Sequence, residues 1–375
     1  MVTVVALSGT INYFRVASIS YTAIMAVLTG AISLTLVLQY DHVPRPAARV
    51  AAIGILFVAW MLGLLLIDGS TRQGAQFITV QATFVAALLL AATARYVIGG
   101  QLDVVVARCL RFTSSVLIGS EILGASHVGG GRIVAMVSLL CLSWFLAEYR
   151  HGKGKSLWWS LAILLGIAIS LSRTALLAGF VLFIVAMLLS PRKRRIRNIL
   201  FSLLVIAAAV WAVTSWAPLR DRFSQGDLSL SVAGIKINTE GRSKVWSVLW
   251  SQAQNERFIG HGPGSASALS VSLDPAFDNP HNDYLRLFYD FGAVGIVLFA
   301  WFSVRSARLL RHAGKISRTL IPPIAALYAG LAVMIMMATD NPLDYPFVMI
   351  PLGALIGLSL GTPGLAKRQG QPAPR

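Results

Sequence analysis

Acidic side chains are scarce in this chain: 15 Asp and Glu stand against 32 Lys and Arg among 375 residues, and charged residues make up only 13% of the total. Soluble domains carry about 25% charge, so an ordinary water-facing surface is excluded. Cysteine is nearly absent. Cys109 and Cys141 fall in different apolar segments, which excludes a disulfide framework and leaves two buried free thiols as the expectation. No CxxC, HExxH or paired His/carboxylate spacing occurs, so no metal and no cofactor is expected. No charged region precedes the first apolar run, the earliest basic residue being Arg15, so a cleavable signal peptide of ordinary type is not expected.

Apolar material is what the chain has in abundance: 56% of residues are hydrophobic and mean hydropathy is +0.71. Crossing a hydrocarbon core takes about 20 apolar residues, and a backbone in lipid must satisfy its own hydrogen bonds. The expected fold class is therefore an all-α polytopic membrane protein. Its eleven apolar segments are 16–39, 48–67, 77–98, 104–124, 131–148, 157–171, 174–190, 197–214, 287–304, 319–339 and 346–362.

The net charge of +17 raises the question of nucleic acid, but the basic residues cluster in short loops beside apolar segments, as in PRKRRIRN (191–198) and RSARLLRHAGKISR (305–318). That is a positive-inside pattern, so these loops face the cytoplasm and no nucleic acid is expected. Alternation then puts 40–49, 148–156 and the tail after Gly364 inside, each with excess Lys or Arg. The expected organisation is a transmembrane bundle over 1–214, an external loop over 215–286, further transmembrane helices over 287–362 and a cytoplasmic tail over 363–375. The N-terminus falls outside, or an upstream helix precedes it.

The external loop and its boundary hold eight of the fifteen acids, from Asp221 to Asp290. A connection of this length is long, and long ordered loops tend to be functional. Within it TEGRSKVWSVLWSQAQNERF (239–258) reads as an amphipathic helix capped by Thr239, with Val245, Trp246, Leu249, Trp250 and Ala253 on one face, lying along the membrane–water boundary. GHGPGS (260–265) lacks the ending of a P-loop; it is a plain turn, or a backbone nest for phosphate through Gly262 and Gly264. In NPHNDYL, Asn279 suits a helix N-cap and Pro280 the first helical position, which places His281 in the first turn beside Tyr284 and Leu285. Gly292 and Gly295 below it suit close helix packing.

The 34 residues 157–190 would make one helix about 51 Å long, too long for one bilayer, so the chain must break at Ser172, Arg173 and Thr174 on the external side. Taken singly, Arg173 either snorkels to head groups or binds an anion, and Arg242 and His281 read as solvated side chains. All three fall on the same external face. Two guanidiniums suit a diphosphate, and an imidazole suits proton transfer near neutral pH. Arg132 is a further candidate for the cationic pocket, while Asp340 and Asp344 read as external-turn acids or as lining of an acceptor site. A transporter for an anionic lipid-linked glycan is the competing class, although such proteins place charges near the midplane in repeated halves, which are not visible here.

The order S-R-T (172–174), G-R-x-x-x-W (Gly241, Arg242, Trp246), G-x-G-P-G-S (260–265) and H-N-D-Y-L with G-x-x-G (281–285, Gly292, Gly295) resembles the O-antigen ligase and polymerase family, most strongly over 130–300. The resemblance implies a metal-independent, GT-C-type membrane glycosyltransferase of the bacterial inner membrane. Its active site would face the periplasm. Its implied partners are an undecaprenyl-diphosphate-linked glycan as donor, with lipid A core as acceptor in a ligase or another lipid-linked repeat in a polymerase, besides membrane lipids. It further implies that Arg173 and Arg242 hold the diphosphate, that His281 engages the acceptor hydroxyl as base or positioning group, and that Asn282, Tyr284, Arg132, Gly262 and Gly264 bind substrate. Family members often have about twelve helices; against eleven here, the missing one would be the first.

Overall fold

The computed structural model describes residues 15–16, 19–39, 43–68, 71–123, 131–190, 195–217, 220, 230–232, 235–237, 241–316 and 320–368. The expectations for the extreme N-terminus, Thr239 and the last seven residues lie outside these residues. In chain order the helices are α1 (Tyr21–Gln39), α2 (Arg45–Asp68), α3 (Arg72–Ile98), α4 (Gln101–Ile122), α5 (Gly131–Arg150), α6 (Lys155–Ile169), α7 (Arg173–Leu188), α8 (Arg195–Ser215), α9 (Arg242–Ala253), α10 (Ser265–Leu273), α11 (Asp283–Ile316), α12 (Pro322–Met336), α13 (Pro346–Leu360) and α14 (Pro363–Arg368). Each apolar segment expected to be helical holds a helix. Two short antiparallel hairpins accompany the helices: β1 (Arg15–Val16) with β2 (Ile19–Ser20), and β3 (Leu230–Val232) with β4 (Ile235–Ile237).

Among the described residues four helices, α2, α3, α5 and α11, are long and apolar enough to cross a membrane, and α6, α7, α8, α12 and α13 hold shorter apolar stretches. The chain is a multi-pass membrane protein. At its centre stands α5, buried continuously from Val134 to Tyr149 and packed against α4, α6, α7, α12 and α13. Apolar residues all round a helix mark burial in protein, and here Trp144 and Phe145 are completely enclosed. Cys141 is buried beside them and both cysteines are free thiols.

The most extensive packing joins α3 to α13. Gly353, Gly357 and Gly361 repeat every fourth residue on α13, and a Cβ on them would come within 2.5, 2.2 and 2.1 Å of the carbonyl oxygens of Phe84, Leu88 and Ala92. Small residues at this spacing let membrane helices approach to backbone contact, where dispersion supplies the attraction that lipid cannot.

The break in 157–190 falls where the length required it. α6 ends at Ile169, Leu171 has φ +57, and Arg173 opens α7. A second long helix, α11, kinks at Gly292 (φ 62, ψ −165), where a Cβ would lie 2.3 Å from the Phe258 carbonyl. Gly292 thus seats the preceding loop on the helix: Ala293 N–H donates to Arg257 O, His261 N–H to Tyr289 O and Gly262 N–H to Asp290 O.

The tryptophan-rich helix is shorter than its sequence pattern and packs on α10 and α11. Its N-cap is Gly241 at φ +85, and Val245, Leu249 and Ala253 pack against Ala266 and Tyr289. Trp246 donates its indole N–H to Pro280 O at 2.6 Å. Of its two tryptophans only Trp250, near Phe288, is exposed.

Candidate anion site at one end of the bundle

Three helix starts meet in a polar cavity of about 210 Å³. Gly131 and Arg132 open α5; Ser172, Arg173 and Thr174 open α7; Arg242 opens α9; Ser170, Leu171, Thr339 and Asp340 complete the lining. Helix starts present unsatisfied N–H groups and a partial positive charge, which favour an anion. Ser172, the N-cap of α7, makes no side-chain capping bond that would occupy those groups. Three guanidiniums add full charges on the same cavity.

The frame around it is tightly set. Arg242 donates from Nη1 to Thr339 O at 3.3 Å, and the hydroxyls of Thr174 and Thr339 lie 2.5 Å apart. Arg132 Nε lies 3.5 Å from Asp340 Oδ2, and His281 Nδ1 lies 3.7 Å from Asp340 Oδ1. Asn341 Nδ2 lies 3.3 Å from the same imidazole nitrogen. Asp340 is thus a carboxylate at the pocket wall, between a guanidinium and the histidine. Tyr345, just beyond, has its phenol pushed up by burial and then by Asp340 and Asp344, so it stays protonated.

The two residues other than glycine with positive φ among the described residues, Leu171 (φ 57) and His281 (φ 53), both belong to this region. Such backbone costs of order 1–3 kcal/mol and persists where the surroundings over-determine it, commonly at functional sites.

Several sequence readings need correction. Asn279 is not the N-cap of α11 and His281 is not in its first turn. Asn282 caps the helix, its Oδ1 accepting from Leu285 N–H at 3.0 Å, while Asn279 Oδ1 accepts from Ser267. Asn282 is thereby committed to the backbone. Tyr284 donates to Met334 O at 2.7 Å, away from the cavity. Gly262 and Gly264 do form a nest of amides, but its anion is internal: Gly264 N–H and Ala266 N–H donate to the two oxygens of Asp290 at 3.1 and 2.7 Å. None of these four lines the cationic cavity.

Arg286, on the first turn of α11, is enclosed. It is 1% exposed, faces Asp283, Asp290 and Asp344, and lies over the Phe77 ring with its guanidinium carbon 4.3 Å from the centroid. Through these partners it ties α3, the glycine loop and the Asp340–Tyr345 turn to α11, directly behind the site. Asp344 belongs to this cluster and Asp340 to the cavity.

A multi-pass helical membrane protein with a cationic pocket at one end of its bundle is the class that fold and site define. Among the described residues no three His, Cys, Asp or Glu cluster in a way that could hold a metal ion. Residues 158–300 match the model of the family described as O-antigen ligase, and that domain supports the chain's membership of the O-antigen ligase and polymerase family. The matched segment contains Arg173, Arg242 and His281. Arg132, Thr339 and Asp340 complete the cavity from outside it. No curated protein matches the chain.

Proposed function

We propose that this protein transfers a glycan from a polyprenyl diphosphate carrier to an acceptor hydroxyl, at the external face of the bacterial inner membrane. The observation that carries this reading is the convergence of Arg132, Arg173 and Arg242, with three helix starts, on one cavity beside His281. Arg173 and Arg242 hold the diphosphate by forked hydrogen bonds and stabilise the charge that grows on it as it leaves. The acceptor oxygen attacks the anomeric carbon from the opposite face, the bond from that carbon to the diphosphate oxygen breaks, and the configuration inverts. The acceptor's proton passes to His281, whose Nδ1 faces Asp340 and Asn341. Asp340 fixes the ring and balances the imidazolium that forms.

The turn after Arg150 lies at the far end of α5, which begins at the cavity, and Arg305–Lys315 at the far end of α11, which begins two residues after His281. With the positive-inside rule this supports an outward-facing cavity, the side on which such a transfer would take place. The first reading is a ligase, with lipid A core as acceptor, because the matched family carries that description; a polymerase that joins lipid-linked repeats is the alternative. Purified protein supplied with a polyprenyl-diphosphate glycan and lipid A core is the direct test. A new glycosidic bond without other proteins supports the reading, a product with two repeats on one carrier assigns a polymerase, and movement of the donor across vesicles without bond formation assigns a transporter.

A further inference from the structure

A second cavity, of about 700 Å³, runs between α2, α3, α11, α12 and α13. Its volume is within the 300–1,000 Å³ typical of small-molecule sites. It has an apolar shaft lined by Phe57, Phe84, Phe302, Leu327 and Leu352, and among the described residues no carboxylate lines it. Arg150, Arg311 and Lys315 gather at one end, where Arg150 donates to the Tyr328 hydroxyl at 3.4 Å. Arg311 and Lys315 are one turn apart on α11 and both exposed. Higher on the same stripe, Ser306 lines the cavity at 4% exposure, and its hydroxyl has no protein partner among the described residues.

We propose that this cavity binds an anionic phospholipid, with its phosphate on Arg311, Lys315 and Arg150, an ester carbonyl accepting from Ser306 and an acyl chain in the shaft. The diphosphate carrier does not fit the same charge pattern. Arg132, at the first cavity, and Arg150, at the second, are 18 residues apart on α5, about 27 Å along its axis. A lipid whose diphosphate occupies the first cavity leaves the basic end of the second without an anion. A ligand satisfying that end carries its own head group there, from the opposite leaflet, and basic pockets between membrane helices on the cytoplasmic side suit such lipids. The exclusion of the carrier rests on the proposed function, while the site itself goes beyond glycan transfer.

Native mass spectrometry of the purified full-length protein, offered phosphatidylglycerol and phosphatidylcholine with identical chains, reads this directly. Phosphatidylglycerol is expected to be retained preferentially. The double variant Arg311→Gln/Lys315→Gln, both residues being exposed, is expected to weaken that preference roughly thirtyfold. Gly330 lines the shaft and a Cβ there meets no heavy atom within 4 Å, so Gly330→Leu fills the cavity without backbone strain and is expected to remove bound lipid of both kinds. Equal retention of the two lipids by the unmodified protein overturns the proposal. So does an undiminished preference in the double variant, or displacement of phosphatidylglycerol by a polyprenyl diphosphate at equal concentration.

Discussion

Asp340 presents one oxygen to His281 at 3.7 Å, and its other oxygen lies 3.5 Å from Arg132. A carboxylate in this position orients an imidazole and stabilises it once protonated. His281→Ala is expected to lower the turnover number by about 10² to 10⁴, the range of a lost general base. Asp340→Asn keeps the size and loses the charge, so it should fall between the two with little change in KM for the donor. Steady-state kinetics with purified donor and acceptor measure both, and wild-type turnover in Asp340→Asn would remove the carboxylate from the reaction.

Arg173 and Arg242 reach the cavity from the first turns of two different helices. Loss of one preorganised donor to a developing anion costs about 10² to 10³ in rate. Arg173→Ala and Arg242→Ala are each expected to lose at least this much. Arg173→Lys should recover little, because an ammonium does not reproduce the planar fork. Activity of the lysine variant within a few-fold of wild type would show that charge alone suffices.

Arg286 is a stability determinant with three acidic neighbours, Asp283, Asp290 and Asp344. Removing one partner of a buried ion pair costs about 3–5 kcal/mol, since the remaining charges are left uncompensated. Arg286→Met should therefore unfold at clearly lower temperature in detergent, and Arg286→Met/Asp344→Asn should recover part of the loss. Thermal unfolding of the two variants decides, and equal midpoints for Arg286→Met and wild type would contradict the placement.

Gly292→Ala is expected to dislodge the Phe258–Gly264 loop. The new Cβ meets the Phe258 carbonyl at 2.3 Å and the residue sits at φ 62. Faster proteolytic nicking within 254–264, with α11 still inserted, is the expected readout. An unchanged digestion pattern would show that the loop does not depend on the kink.

Local chemistry made much of this molecule legible before any coordinates. The apolar runs marked the helices because lipid demands internal hydrogen bonding over a fixed length, and the same length argument located the break before Arg173. Side-chain destinations set by distant partners were less legible. Asn279 looked like a cap until Ser267 claimed its oxygen, and Asn282 took the role. The glycine loop read as a plain turn or a nest, and the occupant that decides between them, Asp290, lies 26 residues from Gly264. Arg286 has Asp283 and Asp290 at helical spacing, but Asp344 and Phe77, which complete its surroundings, are distant in sequence. Asp340 had a visible signal, an acid in an external turn beside the expected cationic pocket, yet only the fold places it against both Arg132 and His281.

The central claim is that this cavity holds a diphosphate leaving group in cationic side chains, without a metal. The most direct measurement is glycan transfer by the purified protein, with and without EDTA, in parallel with Arg173→Ala/Arg242→Ala. The account predicts transfer unchanged by the chelator and abolished in the folded double variant. Transfer that EDTA stops, or that survives loss of both arginines, would contradict it.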